Sequence, residues 1–165
     1  MTEIMLDHVL KAAGSNVDYA KKLVSDIPED KMAAQPAPGM NHAAWVLGHL
    51  AYVFDSMIAV WGQKPSMSPE WKELFNVPSK PQPERSKYPS KAELLGAYEK
   101  NYQQIVDAVK NAAPEDFDKE FPNPKLRHLM PTVGMAMVHI LTSHQGIHLG
   151  QLSAWRRAQG LGGVN

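Results

Sequence analysis

Two histidines near the end of the chain have the spacing of a metal-binding pair. His144 and His148 are four residues apart within residues 143–158, a segment with the apolar periodicity of a helix. At about 100° per residue, such a pair lies about 40° apart on one face, so both imidazoles can point at one ion. A buried imidazole needs a hydrogen-bond partner or a ligand, so core histidines and metal ligands are both open readings here. The apolar stripe that the pair interrupts consists of Val133, Met137, Ile140, Leu141, Ile147, Leu152 and Trp155.

A third histidine, His49, lies within the apolar face of an earlier predicted helix and is the best candidate for a third ligand. The chain has no cysteine, so any transition-metal site must use nitrogen and oxygen ligands. Three neutral imidazoles suit Zn²⁺, Ni²⁺ or a related divalent ion, and they leave positions open for water or substrate. An open position is typical of a catalytic or ligand-binding metal.

Several neighbouring side chains are weaker candidates. Trp45, one turn before His49, and Gln151, one turn after His148, can orient ligands or bind substrate, or can be a core residue and a helix-face amide. His42 lies seven residues before His49, about 20° away on the same side. Because His42 belongs to the first turn, we expect it to face solvent or to lie behind the ligands.

The remaining histidines and the last two arginines are given no site role. His139 precedes His144 by five residues and should lie about 140° around the helix. His8 should be partly exposed, and His128 falls in a connection. Arg156 and Arg157 end the last helix, where cations complement the helix dipole.

Composition indicates an ordinary globular chain. The 165 residues suit one domain, residues 1–165, and 44% hydrophobic and 21% charged residues are usual for that class. A net charge of zero gives no support for nucleic-acid binding. We expect no membrane span, because no apolar run approaches ~18 residues, and no signal peptide. A cytoplasmic location is the default.

The periodicity predicts four long amphipathic helices at residues 2–25, 41–62, 90–112 and 132–158, and no strands. Asn41 is the expected N-cap of the second helix, and Ser90 with Glu93 forms a capping box for the third. Glycines follow the fourth helix. The predicted fold is an all-α four-helix bundle.

Two irregular connections, residues 63–89 and 111–131, separate these helices. The first is rich in proline, and Pro69 is placed to open a short helix. Such long connections are often functional. We expect Trp71 and Phe75 to pack on an end of the bundle, where they either wall a pocket or only cover the core.

The combination of motifs resembles the DinB/YfiT-like family of metalloenzymes. The segments concerned are PAPGMNHAAWVLGHL, WVLGHLAYVFD and, about ninety residues later, SHQGIHLGQLSAWRRAQG, with its HxxxH and HLGQ motifs. The resemblance covers essentially the whole chain. It implies an up-down-down-up bundle with long crossovers and a nickel or zinc ion held by His49, His144 and His148. It also implies a homodimer.

Some relatives in that family are similar to thiol-dependent S-transferases or isomerases that use a low-molecular-weight thiol. The favoured hypothesis is therefore a metal-dependent enzyme acting on a small-molecule substrate, with a thiol-dependent transferase or isomerase as its specific form. Metal-activated hydrolysis is the runner-up among enzymes. The alternatives are a non-catalytic, stress-associated metal-binding bundle and a metal-free bundle whose histidines hydrogen-bond one another.

Overall fold

The computed structural model describes residues 3–164, and these residues form helices and irregular connections without a strand. The predicted first residue of the first helix, Thr2, lies outside the described residues. An isolated bridge joins Glu120 to Thr132. The helices are α1 (Glu3–Val24), α2 (Ala43–Met57), α3 (Pro69–Phe75), α4 (Lys91–Asn111), α5 (Val133–His139) and α6 (Gln145–Ala158).

The helix ends follow the local capping signals, with one correction. Ser90 and Glu93 form the predicted capping box of α4, and Thr132 caps α5 by accepting from the amide of Met135. The N-cap of α2 is His42 and not Asn41, because His42 Nδ1 accepts a hydrogen bond from the amide of Trp45 at 3.2 Å. The helix continues as a 3₁₀ turn, Ile58–Trp61, and ends at Gly62, whose φ of 72° suits glycine.

Contacts along the helices fix their directions. α1 and α4 run antiparallel, α2 and α6 run antiparallel, and α1 and α6 run parallel, so the bundle has the expected up-down-down-up order. Because α2 and α4 run the same way, the chain between them must cross the length of the bundle. The pairs that fix these directions are Lys91 with Ile27, Tyr102 with Leu10, Asn41 with Gln151, His49 with His144, Asn16 with Thr142, and Arg156 with Asp26.

The predicted fourth helix is interrupted by a π-helical turn at Ile140–His144. A π turn holds one more residue than an α turn and occurs often at functional sites. The hydroxyl of Thr142 in this turn donates to the carbonyl of Val138 in α5 at 2.6 Å. The turn places His144 at the junction of α5 and α6. Residues before and after the turn therefore do not face the directions that a regular helix of 3.6 residues per turn would give them.

The core is one continuous cluster of buried side chains drawn from all the long helices. Its central element is the segment Ala43–Trp61, which is long and apolar enough for a membrane span, so the expectation that no such run exists is wrong. However, 72% of its apolar window is buried inside the bundle, as in the core helix of a soluble protein. Ile147, predicted to belong to the buried stripe, is 56% exposed.

Two polar residues of α6 that were not predicted to be buried lie in the core. Gln145 is fully buried and accepts a hydrogen bond from the hydroxyl of Tyr98. Arg156, expected only to complement the helix dipole, is 2% exposed and forms a salt bridge with Asp26. Its guanidinium therefore joins the end of α6 to the end of α1.

The first irregular connection is tied to α2 at two places. The buried carboxylate of Asp55 accepts hydrogen bonds from the amides of Ser66 and Met67. Farther on, the predicted short helix is α3, and its Phe75 is fully buried. Phe75 packs against the side of α2 at Gly48 and not on an end of the bundle. This contact brings the carbonyl end of α3 to the middle of the core helix.

Candidate metal centre

The bundle brings His49 of α2 together with His144 and His148 of the fourth helix. One ring nitrogen from each histidine lies within 4.8 Å of the other two. The Nε2 atoms of His49 and His144 are 3.2 Å apart. Two nitrogens bound at about 2.1 Å to one tetrahedral ion stand about 3.4 Å apart, so this pair already has the spacing of two ligands.

A backbone carbonyl fixes His49 in the orientation that a metal ligand needs. Its Nδ1 lies 2.7 Å from the carbonyl oxygen of Phe75, which can only accept, so Nδ1 carries the proton. The lone pair of the neutral ring is then on Nε2, which faces the other two histidines. Gly48 permits the contact, since a Cβ there would stand 2.1 Å from the Phe75 ring. The glycine before His49 thus lets α3 approach α2.

A pair of side-chain amides fixes His148 in the same way. Its Nδ1 donates to Gln151 Oε1 at 3.0 Å. The same oxygen accepts from Asn41 Nδ2 at 2.9 Å, which orients the Gln151 amide. His148 therefore also presents its Nε2 lone pair to the cluster. Gln151, one of the residues predicted to orient a ligand, thus contacts His148. Asn41, which holds the Gln151 amide, was not predicted to take part in the site.

His144 has no such partner. Its Nδ1 is buried and has no hydrogen-bond partner among the described residues. Its Nε2 faces the Nε2 lone pair of His49, so one tautomer makes that single hydrogen bond and the other makes none. An unpaired buried nitrogen costs about 1–3 kcal/mol, which a core histidine would be expected to avoid. This orphaned atom distinguishes the cluster from a set of mutually satisfied core histidines.

An aromatic ring covers one side of the cluster. The ring of Trp45 stacks on that of His49 with centroids 4.7 Å apart and planes 6° apart, and it lies 5.9 Å from the His148 ring. Its Nε1 donates to Ser79 Oγ at 3.2 Å, so the indole is held from the first connection. The stack limits water on that side and fixes the plane of His49.

Burial keeps all three imidazoles neutral at physiological pH. Burial, and then the nearby His148 and His49, lower the pKa of His144 to about 3. Burial, and then His49, lower the pKa of His148 to about 4. Burial also lowers the pKa of His49, although its hydrogen bond to the Phe75 carbonyl acts in the opposite sense. A metal ion thus meets free lone pairs, which fits a three-imidazole site for zinc, nickel or a related ion.

Two other histidines differ from their predicted positions. His42 is fully buried, so the first of its two predicted positions, facing solvent, is wrong, and its Nε2 lies 2.9 Å from the carbonyl oxygen of Gln82. His139, expected on the far side of the helix, has its ring 5.9 Å from the His144 ring, because the π turn places five residues near one full turn. Neither joins the group of three converging nitrogens.

A family model described as the DinB superfamily matches residues 16–152. The chain belongs to the DinB superfamily. This match covers most of the chain, including all three histidines of the cluster, and it confirms the resemblance found in the sequence motifs. No curated protein matches the chain.

Solved structures agree with this DinB assignment at the level of the fold. Seven solved chains match. One is YfiT from Bacillus subtilis, with a TM-score of 0.71 and 14% identity over 98% of this chain and 91% of that chain. YfiT is described as a probable metal-dependent hydrolase with an unusual four-helix bundle topology. At this identity the similarity confirms the predicted bundle.

Proposed function

We propose that this chain is a metal-dependent enzyme that holds one divalent ion through His49, His144 and His148 and acts on a small-molecule substrate. The observation that carries the proposal is the convergence of three ring nitrogens, one from each histidine, within 4.8 Å of one another, with the Nε2 lone pairs of His49 and His148 directed at the same point. A divalent ion in such a site polarises a carbonyl or lowers the pKa of a bound water or thiol.

Groups of the chain itself orient the proposed metal ligands. The Phe75 carbonyl and the Gln151 amide hold two imidazoles with their lone pairs inward, so little side-chain freedom is lost when a ligand binds. The stacked Trp45 excludes water from one side. Because all three proposed ligands are neutral, they leave the charge of a divalent ion uncompensated, which favours an anionic group at an open position.

The reaction class follows from what occupies that open position. Hydrolysis is the form we favour, and it is supported by the description of YfiT, which has the same fold. Transfer or isomerisation with a low-molecular-weight thiol is the second form, supported by the preference of an uncompensated divalent charge for an anion such as a thiolate. Because the chain has no cysteine, any such thiol must enter as a separate co-substrate.

The proposal also covers the identity of the metal, the cellular location, the oligomeric state and the partners. Zinc and nickel are the ions of choice, since both bind imidazole well. The absence of cysteine suits the cytoplasm, and we propose a homodimer on the family resemblance. Neutral net charge argues against a nucleic-acid partner, and burial of the apolar core helix argues against a membrane one.

The first experiment is elemental analysis of tag-free protein equilibrated with zinc or nickel and then dialysed. We expect about one ion per chain in the native protein and in His128→Ala, an exposed control outside the site. We expect almost none in His49→Ala or in the triple alanine variant of the cluster. Equal metal content in all four proteins, or none in any, would overturn the proposal.

The second experiment separates the reaction classes. Panels of neutral esters and amides are assayed with the metal-loaded protein, with and without low-molecular-weight thiols and electrophilic acceptors. Turnover without thiol that is lost in His49→Ala supports hydrolysis, and turnover only with thiol supports transfer. Bound metal with no turnover and a large fall in melting temperature on chelation would support a non-catalytic metal-binding protein instead.

A further inference from the structure

A cavity of about 350 Å³ lies between the second half of α2 and Ile140, the first residue of the π turn. Residues of the second irregular connection, including Phe121 and Leu126, cover it from outside. The end of α3 contributes Asn76, next to the residue whose carbonyl holds His49. Its volume lies within the usual range of small-molecule sites.

Helical register places the nearest lining residues of this cavity one turn from the cluster. Val53 and Ser56 of α2 line it, and they follow His49 by four and seven residues, which places them one and two turns along the same face. On the opposite wall, Ile140 lies one helical turn before His144. A molecule lying in the cavity therefore has one end directed along α2 towards the three histidines.

The lining is apolar with a few uncharged polar groups and no charged side chain. The nearest carboxylate on α2, that of Asp55, is buried and accepts hydrogen bonds from the first connection. The side-chain amide of Asn76 and the hydroxyl of Tyr52 have no hydrogen-bond partner among residues 3–164. They are available to a ligand.

We propose that this cavity binds the apolar body of the substrate and that the substrate is an uncharged small molecule whose reacting polar group lies at the histidine end. The proposal rests on the proposed function for the statement that the bound molecule is a substrate. An anionic body would lose its hydration in the cavity without gaining a cationic partner, which disfavours it. An uncharged amide or ester keeps its hydrogen bonds through Asn76 and Tyr52.

A matched pair of ligands tests the charge preference. 4-Phenylbutyramide and 4-phenylbutyrate share a carbon skeleton, and their binding is measured by calorimetry or ligand-observed NMR on the chelated protein. We expect the amide to bind about tenfold more tightly than the carboxylate. Equal binding, tighter binding of the carboxylate, or no binding of either ligand at millimolar concentration would overturn the proposal.

Two variants locate the binding. Ser56→Arg places a cation in the cavity, and we expect it to reverse the preference in favour of the carboxylate. Ile4→Arg adds the same charge at a residue that is 72% exposed on α1, and we expect it to leave the preference unchanged. If Ser56→Arg folds with native circular dichroism but keeps the preference for the amide, the ligand lies elsewhere and the proposal fails.

Loading with Co²⁺ links the cavity to the cluster. In the paramagnetic protein, protons beside the amide should relax faster than those of the phenyl ring, and His49→Ala should abolish the difference. If Co²⁺ does not bind, the proposed function fails while the amide preference of the chelated protein still tests the cavity. If Co²⁺ binds and the phenyl protons relax faster, the orientation proposed here is wrong.

Discussion

Two clusters of buried polar side chains lie at opposite ends of α6. They differ in how many of their polar atoms have hydrogen-bond partners. At the end of α6, the Arg156 guanidinium donates to both carboxylate oxygens of Asp26 and to the carbonyls of Leu23 and Gly162. At its beginning, His144 has a buried nitrogen without a partner in the described chain. The first cluster is complete, whereas the second is not.

This is the difference expected between a structural site and a binding site. Buried polar groups in stable proteins are nearly always hydrogen-bonded, so a complete network needs nothing from outside the chain. A cluster in which two imidazoles are oriented with their lone pairs inward, and the third has no hydrogen-bond partner outside the cluster among the described residues, has the arrangement expected for a ligand site. The two clusters should therefore respond in opposite ways to mutation and to metal.

The largest expected effect comes from breaking the complete cluster. Arg156→Met should lower the free energy of unfolding by about 3 kcal/mol, because two carbonyls lose their donor and a buried side chain is reshaped. Metal content should not change. Chemical denaturation measures the loss, with Arg157→Met as a control, since Arg157 is exposed and contacts Ser153. A loss of under about 1 kcal/mol would show that the cluster is not structural.

Removing a histidine of the incomplete cluster should lower metal affinity and leave the stability of the metal-free protein unchanged or slightly higher. His144→Ala should weaken metal binding by more than about 100-fold, because it deletes a proposed ligand. The chelated variant should be as stable as the chelated native protein or slightly more stable, because the unpaired Nδ1 is gone. Competition with a metal indicator and urea titration give the two values. A marked destabilisation of the chelated variant would mean that His144 is a core residue.

A smaller effect should come from disturbing the support of His49. Gly48→Ala forces the Phe75 ring to move and takes its carbonyl away from His49 Nδ1. We expect a loss of stability of about 1–3 kcal/mol and a fall in metal affinity of about tenfold. The control is Gly96→Ala on α4, where a Cβ meets nothing within 4 Å and the helix should become slightly more stable. Similar behaviour of both variants would contradict the close approach of α3.

The smallest effect is expected from pH. The pKa values of His144, about 3, and His148, about 4, lie far below that of a free imidazole, about 6.5. Protons therefore compete with metal only as the pH falls towards those values, whereas at an ordinary histidine site competition begins near 6.5. Metal affinity measured by indicator competition should change by less than about twofold between pH 8 and pH 6. A steep loss over that interval would show that the histidines titrate normally.

Features that depend on local geometry were predictable from the sequence. The Ser90 capping box depends on residues within one turn, and the His144–His148 pair depends on one helical repeat, so both follow from spacing alone. The choice of His49 also came from local periodicity together with the bundle. The structure places His49 beside the pair, while metal binding at the three histidines stays a prediction.

Features that depend on distant chain paths were not predictable. The carbonyl of Phe75 reaches His49 only because a proline-rich connection folds back on α2. His42 is buried because the same connection covers the start of α2 and offers it the Gln82 carbonyl. The π turn that brings His139 near His144 has no signal in a pattern of 3.6 residues per turn. These misplacements share one cause, which is that loop paths and helix defects follow from tertiary packing.

The stack of Trp45 on His49 has a practical consequence for spectroscopy. An indole stacked on a proposed ligand reports changes in that ring through its fluorescence, and an open-shell ion such as Ni²⁺, if bound there, should quench its emission. Trp45 is one of four tryptophans, so replacing Trp61, Trp71 and Trp155 with phenylalanine would leave a single emitter at the cluster. Such a variant would turn the protein into its own optical indicator of metal occupancy, without any attached dye.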